Sequence, residues 1–245
     1  MNEVINTLKD HRSIRSYTNE PVTQEQLDAI IAAAQAAPTS IHGQQVTVIG
    51  VQDAERKAKI AELAGNQKWI ADAPVFLLFC MDFNKARVAM EMVGEEIIIT
   101  DSVESTIVGA TDVGIALGFA IAAAESMGLG IVPIGGARRN PIELIELLGL
   151  PQYVVPVCGL VVGHPADSSG LKPRLPKETF YHEETYNHDL APWIDQFNEQ
   201  YGQYLTERGA EKGRNWSNTI SAYYTRLYYP HVHHMVKKQG FGLDR

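Results

Sequence analysis

Two short basic blocks stand out for the chemistry they allow. The first is His11-Arg12-Ser13-Ile14-Arg15-Ser16-Tyr17, and the second, about 160 residues later, is Leu171-Lys172-Pro173-Arg174-Leu175-Pro176. Each sets permanent positive charge at nearby positions beside groups that fix backbone direction. The chain is otherwise acidic, with 21 Lys and Arg against 29 Asp and Glu. Clustered cations on such a chain point to a local anion site, and phosphate is the natural occupant. Arg grips phosphate oxygens in pairs with a planar fork, and Lys adds a point charge. Taken alone, Arg12 and Arg15 are more often surface charges at a helix end; joined to the second block and to the longer stretches taken up below, they favour the phosphate reading.

The uncharged polar residues extend this site. Ser13, Thr39, Ser40 and Gln67 can hydrogen-bond a polyol chain and the edge of a polar ring. The run Pro133-Ile134-Gly135-Gly136 lets backbone approach a flat ring, because glycine has no side chain to obstruct it. Together these residues suit a flavin mononucleotide, FMN. A dinucleotide fingerprint is absent: Gly128-Leu129-Gly130 follows a predicted helix, leads into a predicted strand and lacks the third glycine. The sequence contains no P-loop, GxSxG, HExxH or paired CxxC motif. Simpler readings stand beside the sharp ones: Thr39 and Ser40 also suit a turn after Pro38, and Gly135-Gly136 also suits a strand-ending turn.

These residues need elements to hold them. Val4, Ile5 and Leu8 predict a helix over residues 2–10. Thr23 and Gln26 form a capping box, and Leu27, Ile30, Ile31 and Ala34 continue a helix to about Ala37, ended by Pro38. Strands are predicted over 46–51, 75–80, 131–134 and 154–162, and helices over 54–64 and 141–148. The apolar run 106–127 contains Asp112 and Glu125 and is rich in glycine and alanine. It reads as a buried helix of a core or of a subunit interface, not as a membrane span. After Gly163 the chain is loop-rich to Pro176, then helical and aromatic from about Leu190. One α+β domain over residues 1–245, with a C-terminal extension from about 180, is the simplest organisation.

Composition narrows the partners. A net charge of −8 argues against broad binding to nucleic acid or anionic membrane. Cys80 and Cys158 lie in apolar runs and read as reduced core residues, and no secretory signal begins the chain, so a cytoplasmic location is expected. His231, His233 and His234 lack a completing carboxylate or thiol, so no metal site is expected.

The stretches HRSIRSYTNEPV, GNQKWI, AAESMGLGIVPIGGARRN, VVPVCGLVVGHPAD and LKPRLPKETFYHEETY together resemble the FMN-dependent nitroreductases, in particular the oxygen-insensitive NADPH nitroreductase and NADPH-flavin oxidoreductase group. The resemblance implies a mixed β-sheet flanked by helices. It implies an intertwined homodimer, with the stretch 180–245 packing on the partner subunit. By position, it implies FMN contacts from His11, Arg12, Ser13, Arg15, Thr39, Ser40, Gln67, Pro133, Ile134, Gly135, Gly136, Lys172 and Arg174. It also implies contact of Arg208 and Arg214 with the 2′-phosphate of NADPH, with NADH as a possible donor. The implied activity is reduction of nitroaromatics, quinones or free flavin by alternating electron donation and acceptance. A quinone, azo or disulfide reductase of the same fold, or a flavin-binding protein without turnover, is the alternative. Hydride chemistry on a flavin needs no protein base, so no catalytic residue is assigned and His11 is read as structural. Two departures bear on specificity. Residues 38–43 replace the usual serine run and aromatic, and the segment around Arg208 and Arg214 is one residue shorter.

Overall fold

The computed structural model describes residues 2–242. Among the described residues are ten α-helices and four strands, in the order α1 (Glu3–Lys9), α2 (Gln24–Gln35), β1 (Val46–Val51), α3 (Ala54–Leu63), α4 (Lys68–Asp72), β2 (Val75–Asp82), α5 (Asn84–Glu91), α6 (Val103–Ser126), β3 (Gly130–Ile134), α7 (Pro141–Leu148), β4 (Val154–Gly163), α8 (Ala191–Glu207), α9 (Trp216–Tyr224) and α10 (Val232–Lys238). The capping box at α2 is present in full, with Thr23 and Gln26 each accepting the other's backbone amide. Gly149 ends α7 in the left-handed conformation that a residue without Cβ adopts at no steric cost. The short helices α4 and α5 have no sequence counterpart above; neither carries a side-chain N-cap bond that would have announced it.

The four strands form one sheet in the order β1-β2-β4-β3, and each neighbouring pair runs antiparallel. The expected mixed character reduces to an isolated parallel bridge between Ser13 and Ile131. All eight residues of β2 are buried, which explains its uninterrupted apolar sequence as a central strand covered on both faces. α6 packs against β2 and α2. Its buried positions, Ser105, Gly109, Asp112, Val113, Ala116, Ala120 and Ala124, recur every three or four residues and form one stripe. Gly109 has a steric reason: a Cβ there would lie 3.0 Å from Met81 and Phe83 side chains. By length and composition α6 could cross a membrane, yet this stripe is the face of a core helix.

The chain falls into two compact units. The first comprises residues up to Ser169 and resumes at His231, so that Met235, Val236 and Phe241 return to the core around the sheet. The second is Gly170–Pro230, in which α8 packs on α9. Its centre is aromatic: Phe197 is buried, with Trp216 edge-on at 5.9 Å and Tyr201 at 5.6 Å between ring centroids.

Candidate functional site

The first basic block is built into the edge of the sheet. Ile14 donates its amide to Ile131 O at 2.9 Å, and its side chain is 4% exposed. A Cβ on Gly130 would lie 2.8 Å from Ile14, so a glycine is needed for this close approach. The next residues are tied to the end of β4: Thr18 N donates to His164 O and Ala166 N to Ser16 O, both at 2.9 Å. Tyr17 donates its hydroxyl to Ile14 O at 2.7 Å, and burial pushes its ionisation well above the usual phenol range.

An extended segment turns alternate side chains to opposite sides. Arg12 and Ile14 line a cavity of about 310 Å³ with Asp10, Glu125 and Asp167. There Arg12 is paired with Asp10 at 2.5 Å. His11 Nδ1 lies 2.6 Å from Glu125 Oε1, which leaves Nε2 as its other hydrogen-bonding atom. Arg15 has a different neighbour: its guanidinium sits 5.5 Å from the Trp69 ring centre. Among the described residues Arg15 has no carboxylate partner.

Trp69 leads to the next group. Gln67, just before α4, donates from its side chain to Ala64 O at 2.8 Å. It packs directly against Gly136, where a Cβ would meet the Gln67 amide and lie 2.5 Å from Ala64 O. Ser13, Arg15, Gln67 and the run Pro133, Ile134, Gly135 and Gly136 are thereby joined around β3 and α4. Thr39 and Ser40 belong to a separate network. Gln44 N donates to Thr39 Oγ1 at 3.0 Å, and Ser40 N donates to both Asp112 carboxylate oxygens at 3.3 and 3.2 Å. Within this loop Ile41, His42 and Gln44 all take positive φ, of 50°, 57° and 50°. Such residues cost roughly 1–3 kcal/mol each and persist where the surroundings enforce them.

The remaining cations lie in the second unit. Arg174 Nη1 donates to Lys172 O at 3.3 Å. Arg208 stacks 5.4 Å from the Tyr204 ring centre. Arg214 lines a cavity of about 600 Å³ together with Glu199 and Glu207.

Sequence reasoning did not assign Trp69, Asp112 or Glu125 a role. For the two acids a signal existed, because a carboxylate inside an apolar helix demands a partner. For Trp69 the signal is geometric: its indole N–H is buried without an acceptor.

This neighbourhood fits a flavin mononucleotide. It offers a cation without a carboxylate partner, a buried donor without an acceptor, an amide side chain and a turn stripped of side chains. Thiol chemistry is disfavoured, since burial pushes both Cys80 and Cys158 up in pKa. Among the described residues no cluster of His, Cys, Asp and Glu could hold a metal.

Comparison with known proteins supports the same class. The Nitroreductase family profile matches residues 8–164, and its C-terminal domain profile matches residues 172–244. The chain belongs to the nitroreductase family. It is 61% identical over the full length of both chains to a protein of Bacillus subtilis (strain 168) named FMN reductase [NAD(P)H]. It is 37% identical to the oxygen-insensitive NADPH nitroreductase of Salmonella typhimurium, covering 99% of each chain. The structure of NADPH:FMN oxidoreductase from Vibrio harveyi, complexed with NAD+, superposes with a TM-score of 0.90 at 34% identity, covering 98% of this chain and 99% of that one.

Proposed function

We propose that this chain is an FMN-dependent oxidoreductase that takes electrons from NAD(P)H and passes them to a nitroaromatic, a quinone or free flavin. The observation that carries the reading is the cluster of Arg15, Trp69, Gln67 and Gly136 at the edge of β3. Bound FMN would supply the hydride chemistry. The chain supplies position and charge. Arg15 is the cation of this neighbourhood for the phosphate monoester; Lys172 and Arg174 are the further phosphate cations that the family resemblance implies. His11 offers Nε2, its orientation fixed through Glu125. Gln67, Ser13, Thr39 and Ser40 meet the polyol and ring edge, and the turn at residues 133–136 lets backbone amides approach the ring, where they favour negative charge developing during reduction. Arg12 is a further FMN contact in this reading, and it is already paired with Asp10.

The acting unit in this reading is a homodimer. Opposite its buried stripe, α6 exposes Val103 and Ile107 by 52% and 56%. A Cβ on Gly114 or Gly118 would meet nothing within 4 Å, so this face admits a second backbone closely. Unbridged Cys80 and Cys158 accord with a cytoplasmic enzyme.

The deciding experiment uses the purified protein. It should be yellow, release FMN rather than FAD on denaturation, and consume NADPH or NADH only when an acceptor is added. Colourless protein after reconstitution, or flavin binding without turnover for any acceptor in a broad panel, would overturn the reading. Sedimentation should show a dimer at assay concentration, and a fully active monomer would remove that part.

A further inference from the structure

We propose that Asp112 is a positioning residue for the electron acceptor: from α6 it holds the loop of residues 39–44 in its left-handed shape, and this shape sets which acceptors the enzyme accepts. The proposal rests on the reading that Thr39 and Ser40 border the flavin.

Asp112 is 3% exposed and stands in an apolar stripe between Gly109, Val113 and Ala116. A buried carboxylate is a poor choice for stability, because an apolar side chain of similar volume packs there without losing hydration. What the carboxylate does is accept the Ser40 amide with both oxygens, at 3.3 and 3.2 Å, across 72 residues of sequence.

The loop at the other end of this bond is strained. Ile41, His42 and Gln44 have positive φ, and for a β-branched residue such as Ile41 that is an outlier. The loop's other bonds are local: His42 N to Thr39 O at 3.1 Å, Gly43 N to Ser40 O at 2.8 Å, and Gln44 N to Thr39 Oγ1 at 3.0 Å. These close the turn on itself, and the bond to Asp112 ties it to the core. The result presents Ile41, 97% exposed, at the tip. Thr39, His42 and Gln44 also line a cavity of about 600 Å³ whose wall includes Ala116, one turn of α6 beyond Asp112. Anchor, loop and cavity therefore share one wall. A shift of the loop changes the shape of that wall without touching residues 11–17 or 133–136.

The test compares three variants as FMN-loaded holoenzyme. Asp112→Val removes the acceptor oxygens, Asp112→Asn keeps one, and Ile41→Ala trims the tip while leaving the core intact. Hydrogen exchange is followed over residues 38–46. kcat/KM is measured for a nitroaromatic and for free FMN, and flavin reduction by NADPH is measured alone. Asp112→Val should speed exchange in the loop by about tenfold and shift the ratio of the two acceptors by about fivefold. It should not lower the unfolding temperature, and because both acceptors meet the same reduced enzyme, any change in the NADPH half-reaction cancels from their ratio. Asp112→Asn should stay close to the parent in both readouts. If Asp112→Val does not fold, Asp112→Ala carries the same comparison.

Unchanged exchange in the Val variant would overturn the anchor, and so would an Asn variant that behaves like Val. Faster exchange with an unchanged acceptor ratio would overturn control of the acceptor. Ile41→Ala then separates the two failures. If it shifts the ratio, the loop borders the acceptor and only the role of Asp112 falls. If it too is silent, the placement of residues 39–44 beside the flavin falls as well.

Discussion

Residues 11–17 and residues 170–176 carry the same kind of chemistry on different supports. The first segment is laid along β3, with Ile14 buried and its amide spent on Ile131 O, and with the Tyr17 hydroxyl closing back on Ile14 O. The second lies in no strand or helix, and both Lys172 and Arg174 are exposed. A cation on a fixed backbone meets an anion with little further ordering. A cation on a loop must lose side-chain and backbone freedom as it binds, and that loss offsets part of its contact. The two basic segments thus have unequal preorganisation, and substitution can measure the inequality.

The largest effect is expected where the support itself is broken. Gly130→Val places branched carbon where even a Cβ lies 2.8 Å from Ile14. Neither backbone can yield without opening the bond to Ile131, so the variant should lose about 1–3 kcal/mol of stability and most of its flavin affinity. Thermal unfolding and a flavin titration measure both. Retained affinity would mean that the ladder does not position Arg15.

Next come the cations themselves. A charge-assisted phosphate bond contributes roughly 1.5–3 kcal/mol, or about one to two decades in affinity. Arg15→Ala should lie at the upper end of that range and Arg174→Ala at the lower end, both with small changes in unfolding temperature. Titration of the apoprotein with FMN decides the order. Equal losses would erase the comparison, and a larger loss at Arg174 would reverse it.

Alkaline pH probes the rigid segment more gently. Burial raises the Tyr17 pKa, so the folded state favours the neutral phenol. The associated stability is fully present below the unfolded value of about 10 and is lost as pH rises through the higher folded value. Because the chain has 10 tyrosines, the informative quantity is the difference between parent and Tyr17→Phe. The parent should lose more stability than the variant above about pH 10. Parallel curves would mean that Tyr17 is not the titrating group.

The loop character of residues 164–176 was legible in sequence, and the place of residues 11–17 beside β3 was not. β1 spans residues 46–51 and α7 spans residues 141–148, as their periodicity and caps predict, because those signals are local. The capping box at Thr23 is equally local. The parallel bridge of Ser13 to Ile131 is not, since it joins residues 118 apart with only Gly130 hinting at a close approach. Likewise Asp112 and Glu125 were conspicuous as acids, but their partners, Ser40 and His11, lie far away in sequence. The stacking of Arg15 on Trp69 left no pattern at all, because neither residue type specifies the other.

The smallest effect concerns the electron donor. NADPH differs from NADH by one phosphate, so preference requires a cation where only that group reaches. Arg208 suits such a role in one respect: the Tyr204 ring 5.4 Å away holds its guanidinium without consuming its N–H donors. Arg214 is less suited, because Glu199 and Glu207 line the same cavity and repel an incoming anion. Both arginines are exposed, and an exposed ion contact contributes about 0–1 kcal/mol, which is at most about a fivefold change. Arg208→Ala should therefore raise the Michaelis constant for NADPH a few-fold and leave that for NADH unchanged. Arg214→Ala should change neither. Steady-state kinetics with both donors at fixed acceptor concentration separate these outcomes. An equal rise for both donors on losing Arg208 would make it a packing residue of the second unit, held by Tyr204 for its own sake. A selective effect at Arg214 would show that the two glutamates do not govern that cavity's choice of charge.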